Sequence, residues 1–346
     1  MGMLTERQNL ILKYIVDDYS ETGDPVGSKV LAKKLPISVS SATIRNEMVV
    51  LSNLHLIDQV HTSSGRIPSN QGYRYYVDNL AKPLPLDSKY RDYISNSLSG
   101  SFRQIDDIVR QSAKILSQVT DYAAMTFSPE NSSNDIINHF QLVRLNDHHL
   151  MAVIVMENEQ VESQSFLVKQ TVTVNQIEMT TNFLNQHLSG LTTSQTMIRI
   201  QSGFFDNLKR YIKDTTSILN AFRYLIQKVV SDRYFVSGRL NLFNQKHDLE
   251  NAKPLYSFLN ENSRLTEILN HSSQPISVQI GPELQDDVLK DYSLIAGTYD
   301  VGIHGIGRIA VIGPTRMEYP KVLGLVDAFR VEMQEQIKNY YHSYDQ

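Results

Sequence analysis

The sequence predicts a multidomain α+β protein: an N-terminal winged helix-turn-helix, then an α+β domain split by an inserted, mainly helical segment. Three observations carry this expectation. Residues 4 to 54 read as three short amphipathic helices, followed by a glycine-tipped hairpin. A proline-rich joint, Lys82-Pro83-Leu84-Pro85, then separates that stretch from the rest. From Phe140 onward the period is that of strands, then of helices, then of strands again, the order produced when one domain interrupts another.

The first helix opens at Thr5, which forms a capping box with Gln8. Leu4, Ile11, Ile15 and Tyr19 line one side, and Gly23-Asp24-Pro25 ends it. A second helix starts near Ser28, keeps Leu31 and Leu35 in register, and stops at Pro36. Residues 36 to 39 turn the chain into Ser40, the N-cap of a third helix, a connection as short as helix-turn-helix geometry needs. Ile44, Met48 and Leu51 form the buried stripe of this helix; Ala42, Asn46, Val49 and Asn53 fall opposite, flanked by Thr43 and Arg45. Residues 56 to 60 read as a strand and Ser63-Ser64-Gly65 as a turn. Arg66-Ile67-Pro68 returns as an edge strand, because Pro68 has no N–H to donate.

The outer face of the third helix carries an amide and a guanidinium for acceptor edges and methyls for thymine, which is major-groove chemistry. Arg45 and Asn46 are therefore candidates for base edges, Ser41 and Thr43 for phosphate or base, and Arg66 for phosphate or minor groove from the wing tip. Lys33 and Lys34 fit phosphate contacts and fit equally a solvated helix end favoured by the macrodipole. Residues 25 to 76 hold six basic side chains against two acidic ones, whereas the chain as a whole carries a formal charge of −4. A modest local excess suits a selective binder that gains affinity by dimerising, not a general nucleic-acid coat.

Beyond the joint, residues 89–98 and 102–119 predict a helical pair, the second with Phe102, Ile105, Val109, Leu116 and Val119 on its apolar face. Residues 140–145, 150–157 and 161–168 predict a strand meander; 238–243, 276–281, 292–299 and 307–312 predict a later strand set. Between them, residues 174–230 read as mainly helical, with Leu208, Ile212, Leu219, Phe222 and Ile226 spaced for one long helix. A final helix over 320–341 places Val322, Val326, Phe329, Met333, Ile337 and Tyr340 at steps of three and four. The expected domains are 1–80 for the head, 81–88 as linker, 89–169 with 236–346 for the split domain, and 170–235 for the insertion.

Several functional classes find little support. With no cysteine, disulfides and thiolate metal sites are excluded, and a reducing cytoplasm is compatible. The longest apolar run, residues 150–156, is seven residues, well short of the ~18 a membrane span requires. No secretory leader is read, and Glu6 stands where myristoylation needs a hydroxyl, so the cytoplasm is the expected location. Gly302, Gly305 and Gly307 resemble a nucleotide loop, but residues 308–312 read as a strand where a dinucleotide fingerprint needs a helix. His148-His149 lies in a turn without the companions of a metal site. No nucleophile, base and orienting acid assemble from sequence order, so neither an enzyme nor a cofactor is expected.

The motifs are long enough to resemble a known family. Pro25-Val26-Gly27-Ser28-Lys29, Ser40-Ser41-Ala42-Thr43-Ile44-Arg45-Asn46-Glu47-Met48, His61-Thr62-Ser63-Ser64-Gly65-Arg66-Ile67-Pro68, Gly72-Tyr73-Arg74 and Ile312-Gly313-Pro314-Thr315-Arg316-Met317 look like the HrcA heat-inducible transcription repressors, in order and over almost the whole chain. The resemblance implies a GAF-like domain interrupted by a dimerisation domain. It also implies a homodimer on double-stranded DNA at an inverted-repeat (CIRCE) operator of chaperone operons, kept active by the chaperonin GroEL. One residue departs from the pattern: His55 stands where the family usually has glycine, at a helix end that favours the left-handed conformation.

Overall fold

The computed structural model describes residues 4–60, 65–99, 102, 105–130, 136–157, 161–201, 215–231, 234–243, 249–260, 264–265, 268–269 and 274–344. They form two compact units: Met1–Phe127 with Phe235–Asp300 and Gly307–Gln346, and Ser128–Tyr234 with Val301–Ile306.

The first unit begins with three helices, α1 (Glu6–Thr22), α2 (Ser28–Lys34) and α3 (Ser41–Asn53). Thr5 and Gln8 cap α1 reciprocally, and Gly23 ends it at φ 73° with its N–H on the Tyr19 carbonyl, 2.9 Å away. Ile11, Leu12, Ile15 and Val16 of α1, Leu31 of α2 and Ile44, Met48 and Leu51 of α3 make one core. Strands β1 (Ile57–Gln59) and β2 (Arg66–Pro68) pair antiparallel, Ile57 opposite Pro68 and Gln59 opposite Arg66. Ser63 and Ser64 of the expected turn lie outside the described residues. Helix α4 (Asn70–Asn79) follows at once, capped by Ser69.

His55 adopts φ 57°, the left-handed conformation expected there, and its carbonyl accepts from the Ser69 hydroxyl at 2.5 Å. A Cβ in that region costs about 1–2 kcal/mol, and the extra unfolded-state freedom of glycine costs about 0.5–1. His55→Gly is therefore expected to stabilise the head by about 0.5–1 kcal/mol in urea unfolding followed by circular dichroism.

The remainder of the first unit is built on a five-stranded sheet in the order β7-β3-β10-β9-β8. Its strands are β3 (Ala123–Glu130), β7 (Tyr234–Ser237), β8 (Ile276–Ile280), β9 (Tyr292–Asp300) and β10 (Ile306–Pro314). Helices α5 (Ser88–Leu98) and α6 (Ile105–Thr120) pack with the last helix, α11 (Tyr319–Tyr344), which also covers β9. Val322, Val326, Phe329, Met333 and Ile337 of α11 are all buried within the chain. Helix α10 (Leu249–Phe258) lies against the 3-10 turns that follow β7 and β8. Phe258, Leu265 and Leu269 meet Met125, Leu294 and Ile312 of the sheet around a void of about 10 Å³, less room than one water needs.

Two expectations need correction here. The expected strand at 238–243 is instead a 3-10 turn (Arg239–Phe243), with the strand just before it, because Gly238 turns left-handed at φ 72° and breaks the extended run. Strand β3 was not expected at all. It is an interior strand between β7 and β10, and Ala123 to Phe127 are buried on both faces, so the alternation that marks a half-exposed strand is missing.

The second unit contains the meander β4 (Ile137–Arg144), β5 (His149–Met156) and β6 (Val161–Leu167), with helices α7 (Val174–Leu188), α8 (Thr193–Gln201) and α9 (Thr215–Ser231). The meander was expected to share a domain with the later strands. It forms its own antiparallel sheet, and its inward side chains Phe140, Leu142, Leu150, Ile154 and Met156 share a core with Ile177, Leu184, Leu188, Ile218, Phe222 and Ile226. The Asn185 side chain fixes α7 to β4, accepting from the Phe140 N–H at 2.8 Å and donating to its carbonyl at 2.7 Å. The unit boundary accordingly falls near residue 128, not 170. Residues 174–230 are mainly helical as expected: Leu219, Phe222 and Ile226 of the expected long helix lie on α9, and Leu208 and Ile212 lie outside the described residues.

Candidate nucleic-acid interface

The backbone of α3 starts where Ser40 accepts from the Thr43 N–H at 3.1 Å, and the two hydroxyls meet at 2.9 Å. Periodicity then sorts the helix. Ile44, Met48 and Leu51 point into the head, while Ala42, Arg45, Asn46, Val49, Val50 and Asn53 are exposed. Ser41 and Thr43 are half-buried on its first turn. The face carrying Arg45 and Asn46 also leaves Val49 48% exposed, so methyl and hydrogen-bonding chemistry lie side by side.

Glu47 is the acid that sequence reading did not place. It falls within the buried stripe, and an inward carboxylate needs partners. Arg7 of α1 forms an ion pair with it, and the Gln8 amide donates to its Oε2 at 2.9 Å. The Gln8 hydrogen bond holds the Glu47 carboxyl below its usual range, Arg7 adds to this, and burial opposes it. The signal was present in the spacing: Glu47 follows Ile44 by three and precedes Leu51 by four.

This contact contributes stability that is complete above about pH 4.5 and is lost as pH falls through the lowered native value. Replacing Glu47 with glutamine should thus flatten the acid side of the stability curve. Urea midpoints at pH 7 and at pH 3 measure it: the two proteins should differ more at pH 7, and a constant difference would remove Glu47 from the titration.

The other candidates are distributed around this helix. Lys33 is exposed at the end of α2. Lys34, beside it, is paired with Asp18 of α1, whose carboxylate raises its pKa. The structure thus gives Lys34 a partner within the head. Arg66 opens β2, and its backbone is held on both sides. It pairs with Gln59 across the wing and exchanges two 2.9 Å hydrogen bonds with Val26. Its Nε is buried without a hydrogen-bond partner. Gly65 makes that approach possible: a Cβ there would lie 2.5 Å from the Val26 carbonyl carbon and 2.6 Å from the Pro25 carbonyl oxygen. Arg66 therefore stands at the turn end of the two-stranded ladder, opposite Gln59, and the expected tip, residues 61–64, lies outside the described residues.

No group of three or more histidine, aspartate or glutamate side chains placed to hold a metal is found among the described residues. No helix among them is long and apolar enough to cross a membrane. Gly302 and Gly305 bracket a 3-10 turn leading into β10, and no helix follows at the position a nucleotide loop would need.

Comparison with known proteins agrees with this architecture. Residues 3–78 match the family model of the winged helix-turn-helix transcription repressor, HrcA DNA-binding, and residues 106–323 that of the HrcA protein C terminal domain. The heat-inducible transcription repressor HrcA of Fructilactobacillus sanfranciscensis is 57% identical, covering 99% of this chain and 100% of its own. That of Ligilactobacillus salivarius is 40% identical, with 99% and 100% covered. A crystal structure described as a hypothetical protein shares the fold, with a TM-score of 0.60 and 23% identity over 97% of this chain and 99% of the other. The chain belongs to the HrcA family of heat-inducible transcription repressors, which are DNA-binding regulators and not enzymes.

Proposed function

We propose that the chain represses chaperone operons of the groE and dnaK type as a cytoplasmic homodimer on an inverted-repeat operator of the CIRCE class. Each subunit lays α3 in the major groove of one half-site. Arg45 and Asn46 contact base edges, Ser41 and Thr43 contact phosphate or base, and Arg66 approaches from the wing. Lys33 contacts phosphate; Lys34, already paired with Asp18, contributes less and chiefly ties α2 to α1. The observation that carries this reading is the sorting of α3: its inner face is locked by Ile44, Met48, Leu51 and Glu47, and its outer face leaves Arg45, Asn46 and Val49 exposed.

The five-stranded sheet with its helices is the GAF-like body in this reading, and residues 128–234 are the inserted dimerisation domain. The outer face of the meander supports that role: Val143, Met151, Val153 and Val155 are half-exposed, and Val161 and Leu167 of β6 are exposed. The chaperonin GroEL brings the repressor to its active form, and heat-damaged proteins that occupy GroEL withdraw that help, so repression lifts.

Gel-shift titration on an inverted repeat upstream of a chaperone operon, with and without GroEL, tests the proposal. Tight binding to the repeat over scrambled DNA, improved by GroEL, is the expected result. Equal affinity for both DNAs in the presence of chaperonin would overturn it.

A further inference from the structure

Periodicity turns one strip of α3 outward, and one member of that strip is neither a charge nor an amide. At about 100° per residue, Ala42, Asn46, Val49 and Asn53 fall within roughly 60° of one another, with Arg45 on one flank and Val50 on the other. All of these are exposed, Val49 at 48% and Val50 at 40%. The buried stripe of Ile44, Met48 and Leu51 lies on the other side of the helix, so the Val49 methyls add nothing to the core of the head. Valine does not serve the helix there either, because a β-branched side chain loses χ1 freedom and lowers helix propensity.

The same branching makes Val49 a rigid group. In a helix valine keeps one χ1 rotamer in about nine cases of ten, so its two methyls stand at fixed positions. Val49 lies four residues after Arg45 and three after Asn46, spacings that put Cβ atoms about 5–6 Å apart on one surface. A placement of α3 that brings Arg45 and Asn46 to base edges therefore carries the Val49 methyls into the same groove, about one or two base-pair steps away. A methyl cannot pair with a donor or acceptor edge, and the apolar group that the major groove presents is the C5-methyl of thymine. We infer that Val49 packs on that methyl in each half-site and selects thymine over bases that lack it. The inference rests on the major-groove reading of α3 and deepens it: one base is specified by apolar contact, with no hydrogen bond from this side chain.

Uracil is thymine without the methyl, and it supplies the test. Full-length protein is titrated by gel shift against the inverted repeat upstream of a chaperone operon, with each thymine of one half-site replaced in turn by uracil. Wild type should lose about fourfold in affinity at one such position, the effect of one apolar carbon leaving contact. Val49→Ala should bind that uracil duplex within about twofold of the thymine duplex, and Val49→Thr, which keeps the branch and one methyl, should retain part of the preference. Val50→Ala, the same truncation at a similarly exposed site off the strip, should keep the wild-type profile. Alanine favours the helix at both positions, and circular dichroism checks that the variants fold. A wild-type profile with no uracil-sensitive position would overturn the inference, as would a profile unchanged by Val49→Ala or altered equally by Val50→Ala. Failure of wild type to prefer the repeat over scrambled DNA would instead strike the repressor reading beneath it.

Discussion

Gly72→Ala is expected to destabilise the head by about 3 kcal/mol, the upper part of the range for overpacking. A Cβ at this position would sit 1.9 Å from the Leu56 carbonyl oxygen and 2.9 Å from its carbonyl carbon. Helix propensity argues the other way, since alanine gains about 1 kcal/mol over glycine inside a helix. The steric term wins because the atoms it meets are backbone and cannot rotate aside. The Leu56 carbonyl also accepts from the Ser69 N–H at 3.1 Å, just where α4 is capped, so moving it loosens the cap as well. Urea unfolding followed by circular dichroism measures the effect. A loss below about 1 kcal/mol would show that α4 can withdraw from β1 at little cost.

Arg45→Ala should weaken operator binding by about 1–3 kcal/mol, concentrated at one base pair, and leave binding to random duplex nearly unchanged. The guanidinium is exposed on the flank of α3, beside the buried stripe of Ile44, Met48 and Leu51, so its removal disturbs no core. Lys33→Ala provides the contrast: it should weaken all duplexes alike and lower the salt dependence by about one counterion. Competition gel shifts over single-base operator variants at several salt concentrations separate the two. Equal losses for Arg45→Ala on operator and random DNA would remove Arg45 from the base-reading set.

The head was legible in the sequence because its signals are local. The Thr5 and Gln8 capping box, the Ser40 cap, the Ile44, Met48 and Leu51 stripe and the strand ending at Pro68 each act within a few residues, and each appears in the structure. The left-handed His55 belongs to the same class. Glu47 was harder to place, because its partners Arg7 and Gln8 stand about forty residues earlier.

The sequence by itself determined the helix-turn-helix, the exposed outer face of its third helix and the existence of most later strands, since caps, turns and alternating burial are properties of short stretches. Tertiary structure alone decided which sheet the meander joined, that Ala123 to Phe127 run through the interior of the body, that Lys34 is spent on Asp18, and that the head is bolted to the body through Arg74, Arg316 and Tyr319. Those outcomes depend on groups far apart along the chain, such as Arg74 and Glu283. Only the packed fold brings such groups within hydrogen-bonding reach.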